Sequence, residues 1–410
     1  MPNALLLAQR FDKRDGRQLR VRAALREAGY SVTSLAFNSG GEDRRDPETR
    51  DLRPRATGLL MLGSQLVVAG VIAGYFLTFY PLAMTITFWT LVVGAIYFVS
   101  PWGLTVRNVV LARLSERIGD FLSAKTRFDV IWAADPESLR LATRIAKRDG
   151  ARLIYDAHEF HREEAPEDEA RRQWVIREEE AAAPLLTHLV TINPSIGDLY
   201  KSALPGIDPV IIRNVVDARA GDRDVSPLRV AAGASPDTKI LLYHGALRSL
   251  RNLRELTQSA ALLPEPWKLV ILGDGPLKAE LAELGGPAIL MDMVPYEDMP
   301  LWLAGADLGA VLYEDVGLNQ HHCSPNKLYE YIAYGVPFLA SDLPELRYFA
   351  QDAGCGRVMT DEISPETIAR MVSSLSDEDM ARMRENCAKT ASTLSWSEEK
   401  QRLFGLLNAS

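Results

Sequence analysis

The run SPNKLYEYIAYGVPFLASDLPE, Ser324–Glu345, decides how the rest of the chain reads. It is punctuated as a helix. Ser324 stands at the N-cap, Pro325 suits the first helical position, where its missing N–H costs nothing, and Gly335 can take the left-handed stop. Leu328 and Ile332 are one helical repeat apart and are expected to bury together, while Asn326 and Glu330 share another face. A short apolar strand, Pro337–Ala340, follows, and a strand Leu308–Tyr313 leads in. Such a β–loop–α–β unit points the free N–H groups of its helix N-terminus at the loop, ready to receive phosphate. Taken alone, the same run is equally an amphipathic helix with a Lys327–Glu330 surface pair.

The chain has 410 residues, enough for two domains with full cores. It carries 46 basic and 54 acidic side chains, a net charge of −8, which argues against a nucleic-acid partner. Cys323, Cys355 and Cys387 are odd in number, lack metal-ligand spacing, and fit free thiols in a reducing compartment. Met1–Ala8 runs straight into Arg10, Asp12, Lys13 and Arg14, so no signal peptide is expected there.

From Ala56 to Val106 there is no Asp, Glu, Lys, Arg or His. A bilayer span takes roughly 20 apolar residues. The stretch therefore accommodates two spans, near Gly58–Phe79 and Leu82–Ser100, with Tyr80-Pro81 at the turn. Arg44, Arg45, Arg50, Arg53 and Arg55 precede it, and Arg107, Arg113 and Arg117 follow, which would keep both ends on the cytoplasmic face. The expectation is a transmembrane helical hairpin. A pair of buried core helices is the other reading. Two spans without an ionisable residue make a poor transporter.

Around this insert the pattern alternates between strand and helix. Strand Ala4–Ala8, a helix stopped by Gly29 and strand Ser31–Phe37 open a doubly wound domain, and a polar linker, Asn38–Arg55, leads to the insert. The apolar spacing of Val106, Val110, Leu114, Ile118 and Leu122 reads as a core-packing helix. Strand–helix alternation then runs to Ile212, a polar linker spans Val216–Pro236, and a second alternation starts at Lys239. The expected organisation is an N-terminal Rossmann-like domain from 1–55 and 101–215, a membrane hairpin at 56–100, and a C-terminal Rossmann-like domain at 216–410 whose last helix can return to the first. In fold class this is α/β, with two doubly wound domains facing across a cleft.

HGALRSLRNL (His244–Leu253), LVILGDGPLKAEL (Leu269–Leu281) and Ser324–Leu346 follow one another as in the retaining, nucleotide-sugar-dependent glycosyltransferases of family 4. YDAHE (Tyr155–Glu159) and IRNV (Ile212–Val215) look like matching pieces of the first domain. The resemblance covers nearly the whole chain outside the insert. It implies a GT-B fold, with donor in the second domain and acceptor in the first.

What it implies for the site is residue by residue. Glu330 matches the second acid of the family's paired-glutamate motif, which holds the donor ribose; a carboxylate can accept from both hydroxyls. Eight positions earlier, where the first acid belongs, stands His322. Ala246 replaces the family's phosphate-binding Arg, Arg251 aligns with its Lys, and Arg248 lies close by. A guanidinium can hold phosphate bidentately. Lys327 and the N–H groups of Asn326 and Lys327 are further phosphate candidates. His158 resembles the family histidine that approaches the reacting sugar. Gly16 would let backbone approach the diphosphate. The expected catalytic residues are thus His158, Arg251, Lys327 and Glu330. The expected donor-binding set is Gly16, Gly245, Arg248, Arg251, Gly273, Asp274, Gly275, His322, Ser324, Asn326, Lys327, Leu328 and Glu330.

No cofactor or metal is expected. His158-Glu159-Phe160-His161 is one residue short of zinc-protease spacing, and His321-His322-Cys323 is adjacent rather than spaced. The expected activity is retaining transfer of a sugar from a nucleotide diphosphate donor, at the cytoplasmic face of a membrane, to a lipid or lipid-linked acceptor. A non-catalytic membrane scaffold that binds nucleotide sugar, and a nucleotide-sugar epimerase of the same fold, are the rival readings.

Overall fold

Strand β1 (Asn3–Arg10) is apolar on both faces, with Leu5, Leu6 and Leu7 fully buried, as a parallel strand covered on both sides must be. The computed structural model of the protein describes residues 1–11, 16–38, 46–52, 115–164, 167–217, 223, 225–284 and 286–408. These fall into two compact units, Met1–Ile154 and Tyr155–Ser410.

In the first unit, helix α1 (Gly16–Glu27) connects β1 to β2 (Ser31–Asn38), and the two strands pair in parallel from Asn3↔Ser31. On its other edge β1 pairs with β4 (Val130–Ala134). A third strand, β3 (Thr49–Asp51), lies beside β2 within what the sequence suggests is a linker. Its cause is a buried ion pair. The Arg22 guanidinium donates to both Asp46 carboxylate oxygens at 2.6 and 2.9 Å and holds that carboxyl below its usual range against the effect of burial. Residues 115–123 are helical, and helix α2 (Pro136–Asp149) follows β4.

Strand β5 (Arg152–Asp156), helix α3 (Glu169–Ala182), strand β6 (Leu186–Thr191), helix α4 (Pro194–Ala203) and strand β7 (Val210–Ile211) continue the alternation. The first sheet has the order β3-β2-β1-β4-β5-β6-β7. The second sheet is built from β8 (Lys239–Ala246), β9 (Trp267–Asp274), β10 (Ile289–Met291), β11 (Leu308–Val311), β12 (Phe338–Ser341) and β13 (Gly356–Met359). Its order is β10-β9-β8-β11-β12-β13. Each sheet winds outward from a central strand in one direction and then reverses, the doubly wound plan. Between β11 and β12 come two short helices, α5 (Gly317–His321) and α6 (Asn326–Ala333). Leu328 and Ile332 of α6 are buried together in the second sheet's core, and Gly335 ends the helix at φ +68°.

The membrane expectation is corrected. The charge-free segment Ala56–Val106 lies outside the described residues, and among the described residues no helix is long and apolar enough to cross a membrane. Among the described residues the fold is two Rossmann-like α/β sheets, with no transmembrane hairpin. With it go the membrane location, the membrane-bound character of the activity, and the membrane lipid or lipid-linked acceptor that rested on it. The physical reason is that a protein interior excludes unpaired ions as lipid does. A run without charge therefore does not by itself distinguish the two.

Candidate functional site

The winding of the second sheet reverses between β8 and β11, which pair at Leu308↔Leu241 and Gly309↔Leu242. In open α/β sheets ligands bind beyond the carboxyl ends of the strands at such a switch point. The chain leaves β8 into the loop Leu247–Asn252, where Leu250 and Asn252 sit in the left-handed region at φ 66° and 46°. That conformation is uncommon for a residue with a side chain and is held here by tertiary contacts. The Leu250 carbonyl accepts from the Glu314 N–H at 3.2 Å, and the Arg251 guanidinium lies 5.2 Å from the centre of the Tyr313 ring. The loop after β8 is thus tied to the segment after β11.

Lys327 reaches this place from the first turn of α6. It is buried, its Nζ has no hydrogen-bond partner, and it stands 3.6 Å from the centre of the Tyr243 ring and 5.6 Å from that of Tyr313. Burial, then the neighbouring Arg251 charge, push its pKa well below the usual lysine range, against the opposing pull of Glu330. Gly245 lies against it at φ +124°, a conformation that residues with a side chain rarely adopt, and a Cβ there would sit in ordinary contact with the lysine Cε and Nζ at 3.5 Å.

Glu330 follows one turn later and is also buried. Its Oε2 lies 3.5 Å from Nε2 of His244, whose ring stacks edge-on against Tyr331 at 4.9 Å. Burial, with Lys327 adding to it, lowers the His244 pKa to about 3, so the imidazole is neutral and its contact with Glu330 is not an ion pair. Arg251, Lys327 and Glu330 are therefore brought to one place, with His244 joining them. Arg248 is on the same loop and exposed.

Helix α6 begins one residue later than its sequence suggests. Pro325 takes the N-cap position in extended conformation with no side-chain cap, because the Ser324 hydroxyl is engaged by Asn193, whose Nδ2 donates to it at 2.6 Å. Asn326 is the first helical residue. His322, before the turn, is half-buried, and burial followed by the adjacent His321 lowers its pKa. The glycines of Gly273-Asp274-Gly275 act on backbone packing. A Cβ on Gly275 would lie 2.3 Å from the Leu247 carbonyl oxygen, and Leu247 in turn donates its N–H to the Asp274 carbonyl at 2.9 Å. The Asp274 carboxylate faces solvent and accepts from Lys278 at 2.9 Å.

His158 follows β5, and its ring meets that of His161 edge-on at 5.3 Å. The segment is anchored by a fully buried carboxylate, Glu179 of α3. It accepts from Arg162 Nε at 2.6 Å and from the Tyr155 and Tyr200 hydroxyls at 3.0 Å each. Gly16 opens α1 in the other unit, and residues 12–15 before it lie outside the described residues. Sequence reasoning gave no role to His244, Tyr313, Asn193, Asn319 or Glu179. His244 was visible within HGALRSLRNL, but only the pairing of β8 with β11 turns its ring toward α6.

Residues 238–378 match the family described as glycosyl transferases group 1. No curated protein matches the chain. Among solved structures, the chain is similar to Anabaena HepE in complex with UDP-glucose, at 14% identity and TM-score 0.65 over 98% of this chain and 99% of that one. HepE in complex with UDP and glucose gives 13% and 0.66 over 99% of both chains. Sucrose-phosphate synthase from Thermosynechococcus elongatus gives 15% and 0.67 over 99% of this chain and 98% of that one. These likenesses show the fold, which is of the GT-B kind. The narrower expectation of a hairpin-bearing family 4 enzyme is corrected to that fold.

Proposed function

We propose that this chain is a glycosyltransferase that takes a nucleoside diphosphate sugar as donor within residues 216–410 and transfers the sugar with retention of configuration. The observation that carries the reading is the Lys327 amine: a buried lysine with an unpartnered Nζ, beside the Arg251 guanidinium and one turn from Glu330, at the switch point of the second sheet. A buried lysine amine with no hydrogen-bond partner is costly unless it serves a ligand. A diphosphate is such a ligand, and Glu330 is suited to the ribose hydroxyls. HepE, whose structure holds UDP-glucose, supports the choice of donor.

In the reaction the acceptor hydroxyl attacks the anomeric carbon as its bond to the diphosphate oxygen breaks. The acceptor proton passes to the departing diphosphate on the same face. Lys327, Arg251 and the first N–H groups of α6 stabilise the charge gathering on the diphosphate. His158 orients sugar hydroxyls, and the His322 position shapes the sugar pocket.

The test is a thermal-shift series with UDP, GDP, ADP and their glucose conjugates, followed by assay of Glu330→Ala. A ligand at 100 times its Kd stabilises the native state by about 2.7 kcal/mol, so one nucleotide is expected to raise the melting temperature by several degrees. Glu330→Ala is expected to remove most of that shift and of the release of nucleoside diphosphate. The absence of any shift with all six compounds would sink the proposal.

A further inference from the structure

Two asparagines bind the segment before α6 to distant parts of the same unit. Asn193 is fully buried. Its Oδ1 accepts from the Ile196 N–H at 2.8 Å and from the Ser195 hydroxyl at 3.1 Å, which caps α4. Its Nδ2 donates to the His322 carbonyl at 2.8 Å and to the Ser324 hydroxyl at 2.6 Å. Asn319 of α5 accepts from the Phe160 N–H at 3.1 Å and donates to the Glu159 carboxylate at 3.0 Å.

An N-cap uses only the oxygen of an asparagine. The two donations from Asn193 Nδ2 do nothing for α4, yet they are satisfied in a fully buried setting, where such geometry must be built. Helix α5 shows why a brace is needed. It has five residues, too few to be stable alone, and Asn319 is the only one of them that is buried. Leu318 is 42% exposed, as is Val316 just before the helix. Apolar packing therefore contributes little to the placement of α5, and directional hydrogen bonds must supply it.

We propose that Asn193 and Asn319 are positioning residues of the transfer site. Asn319 clasps the segment Gly317–Ser324, which carries His322 and leads into Lys327 and Glu330, to Glu159 and Phe160 just after His158, and Asn193 ties the end of the same segment to the start of α4. The roles of those four residues rest on the glycosyl-transfer reading; the clasp itself does not.

The variants are Asn193→Asp, which keeps the oxygen that caps α4 but loses both donations, and Asn319→Ala. The first measurement is amide hydrogen exchange in the absence of ligand. Exchange is expected to rise at least tenfold across Gly317–Ser324 in both variants, and at the Phe160 amide in Asn319→Ala. Unchanged exchange there would overturn the clasp. The second measurement uses UDP for binding and UDP-glucose for turnover. UDP affinity and the KM for UDP-glucose are expected to stay within about threefold of the parent. The kcat for UDP release is expected to fall at least tenfold. An unchanged kcat, or a fall in kcat matched by equal losses of UDP affinity and melting temperature, would overturn the positioning role. If the parent neither binds UDP nor consumes UDP-glucose, the functional reading fails by itself, and the exchange result still decides the clasp.

Discussion

The imidazole of His244 and the carboxylate of Glu330 lie 3.5 Å apart, Nε2 to Oε2, and both side chains are buried. Two titratable groups so close would ordinarily be read as an ion pair. Here the depth of burial, with the neighbouring Lys327 adding to it, keeps the ring neutral. His244 thus serves as a polar wall beside Glu330, and that has a consequence for stability.

The His244 pKa falls from an ordinary 6.5 to about 3 in the folded protein. Between those values the unfolded chain holds a proton that the native state does not, so this contribution is complete above pH 6.5 and is lost as pH falls toward 3. Lowering the pH from 6.5 to about 4 is expected to cost about 3 kcal/mol through this residue alone. Urea denaturation of the parent and of His244→Gln across that range checks it. The variant should lose this part of the slope, whereas parallel slopes would show that the ring is not held neutral.

Lys327 predicts a conflict between stability and binding. Replacing a buried, unpartnered lysine by methionine removes the cost of an ill-solvated amine, so Lys327→Met is expected to melt a few degrees above the parent. It should also lose about tenfold or more in UDP affinity, since a charge-assisted contact to phosphate is worth ~1.5–3 kcal/mol. In the parent, a diphosphate would draw the lysine pKa upward, so binding takes up protons and weakens as pH rises. Titration calorimetry in buffers of different ionisation enthalpy reads that uptake directly; zero uptake would mean that Lys327 is charged before the ligand arrives.

Gly275 is expected to tolerate no side chain. Its Cβ would meet Leu247 backbone atoms at 2.3 and 2.8 Å, and backbone cannot swing aside as a flexible side chain can. Gly275→Ala must therefore displace the Leu247–Asn252 loop that carries Arg251. A loss of ~1–3 kcal/mol in stability and about tenfold in nucleotide affinity is expected. Equilibrium unfolding and calorimetry check the two parts, and unchanged nucleotide affinity would separate the loop from the site.

Much of the second sheet was legible because its strands announce themselves. Runs such as Ile240–Tyr243 and Leu269–Leu272 are apolar throughout, and the helix of Ser324–Gly335 carries its own stop signal. Lys327 and Glu330 could be singled out because residue type and helical spacing survive in the sequence. The first sheet hid β3, since Thr49-Arg50-Asp51 has no apolar pattern and is fixed by the distant pair Arg22–Asp46. Asn193 and Asn319 were invisible for a similar reason: each acts on partners more than 120 positions away, and no local period marks such a contact. The charge-free run Ala56–Val106 misled because composition records what a segment avoids and not the medium it meets.

A buried carboxylate anchors the His158 segment. Glu179 is fully buried, pairs with Arg162 at 2.6 Å, and receives the hydroxyls of Tyr155 and Tyr200. Burial and this carboxylate together push both tyrosine pKa values well above the usual range, so the phenols remain donors at any ordinary pH. Glu179→Ala would leave the buried Arg162 charge without this partner and take the shared carboxylate acceptor from the Tyr155 and Tyr200 hydroxyls. Breaking such a pair from one side costs ~3–5 kcal/mol. Glu179→Gln retains an acceptor for the phenols but not the charge, so it should fall between the parent and the alanine variant. Since Tyr200 also hydrogen-bonds the Glu159 carbonyl and the His161 N–H, the loosening should reach the residues beside His158. Chemical denaturation gives the ranking, and amide exchange at His161 locates it. If Glu179→Ala matched the parent in stability, the Arg162–Glu179 pair would not anchor the segment.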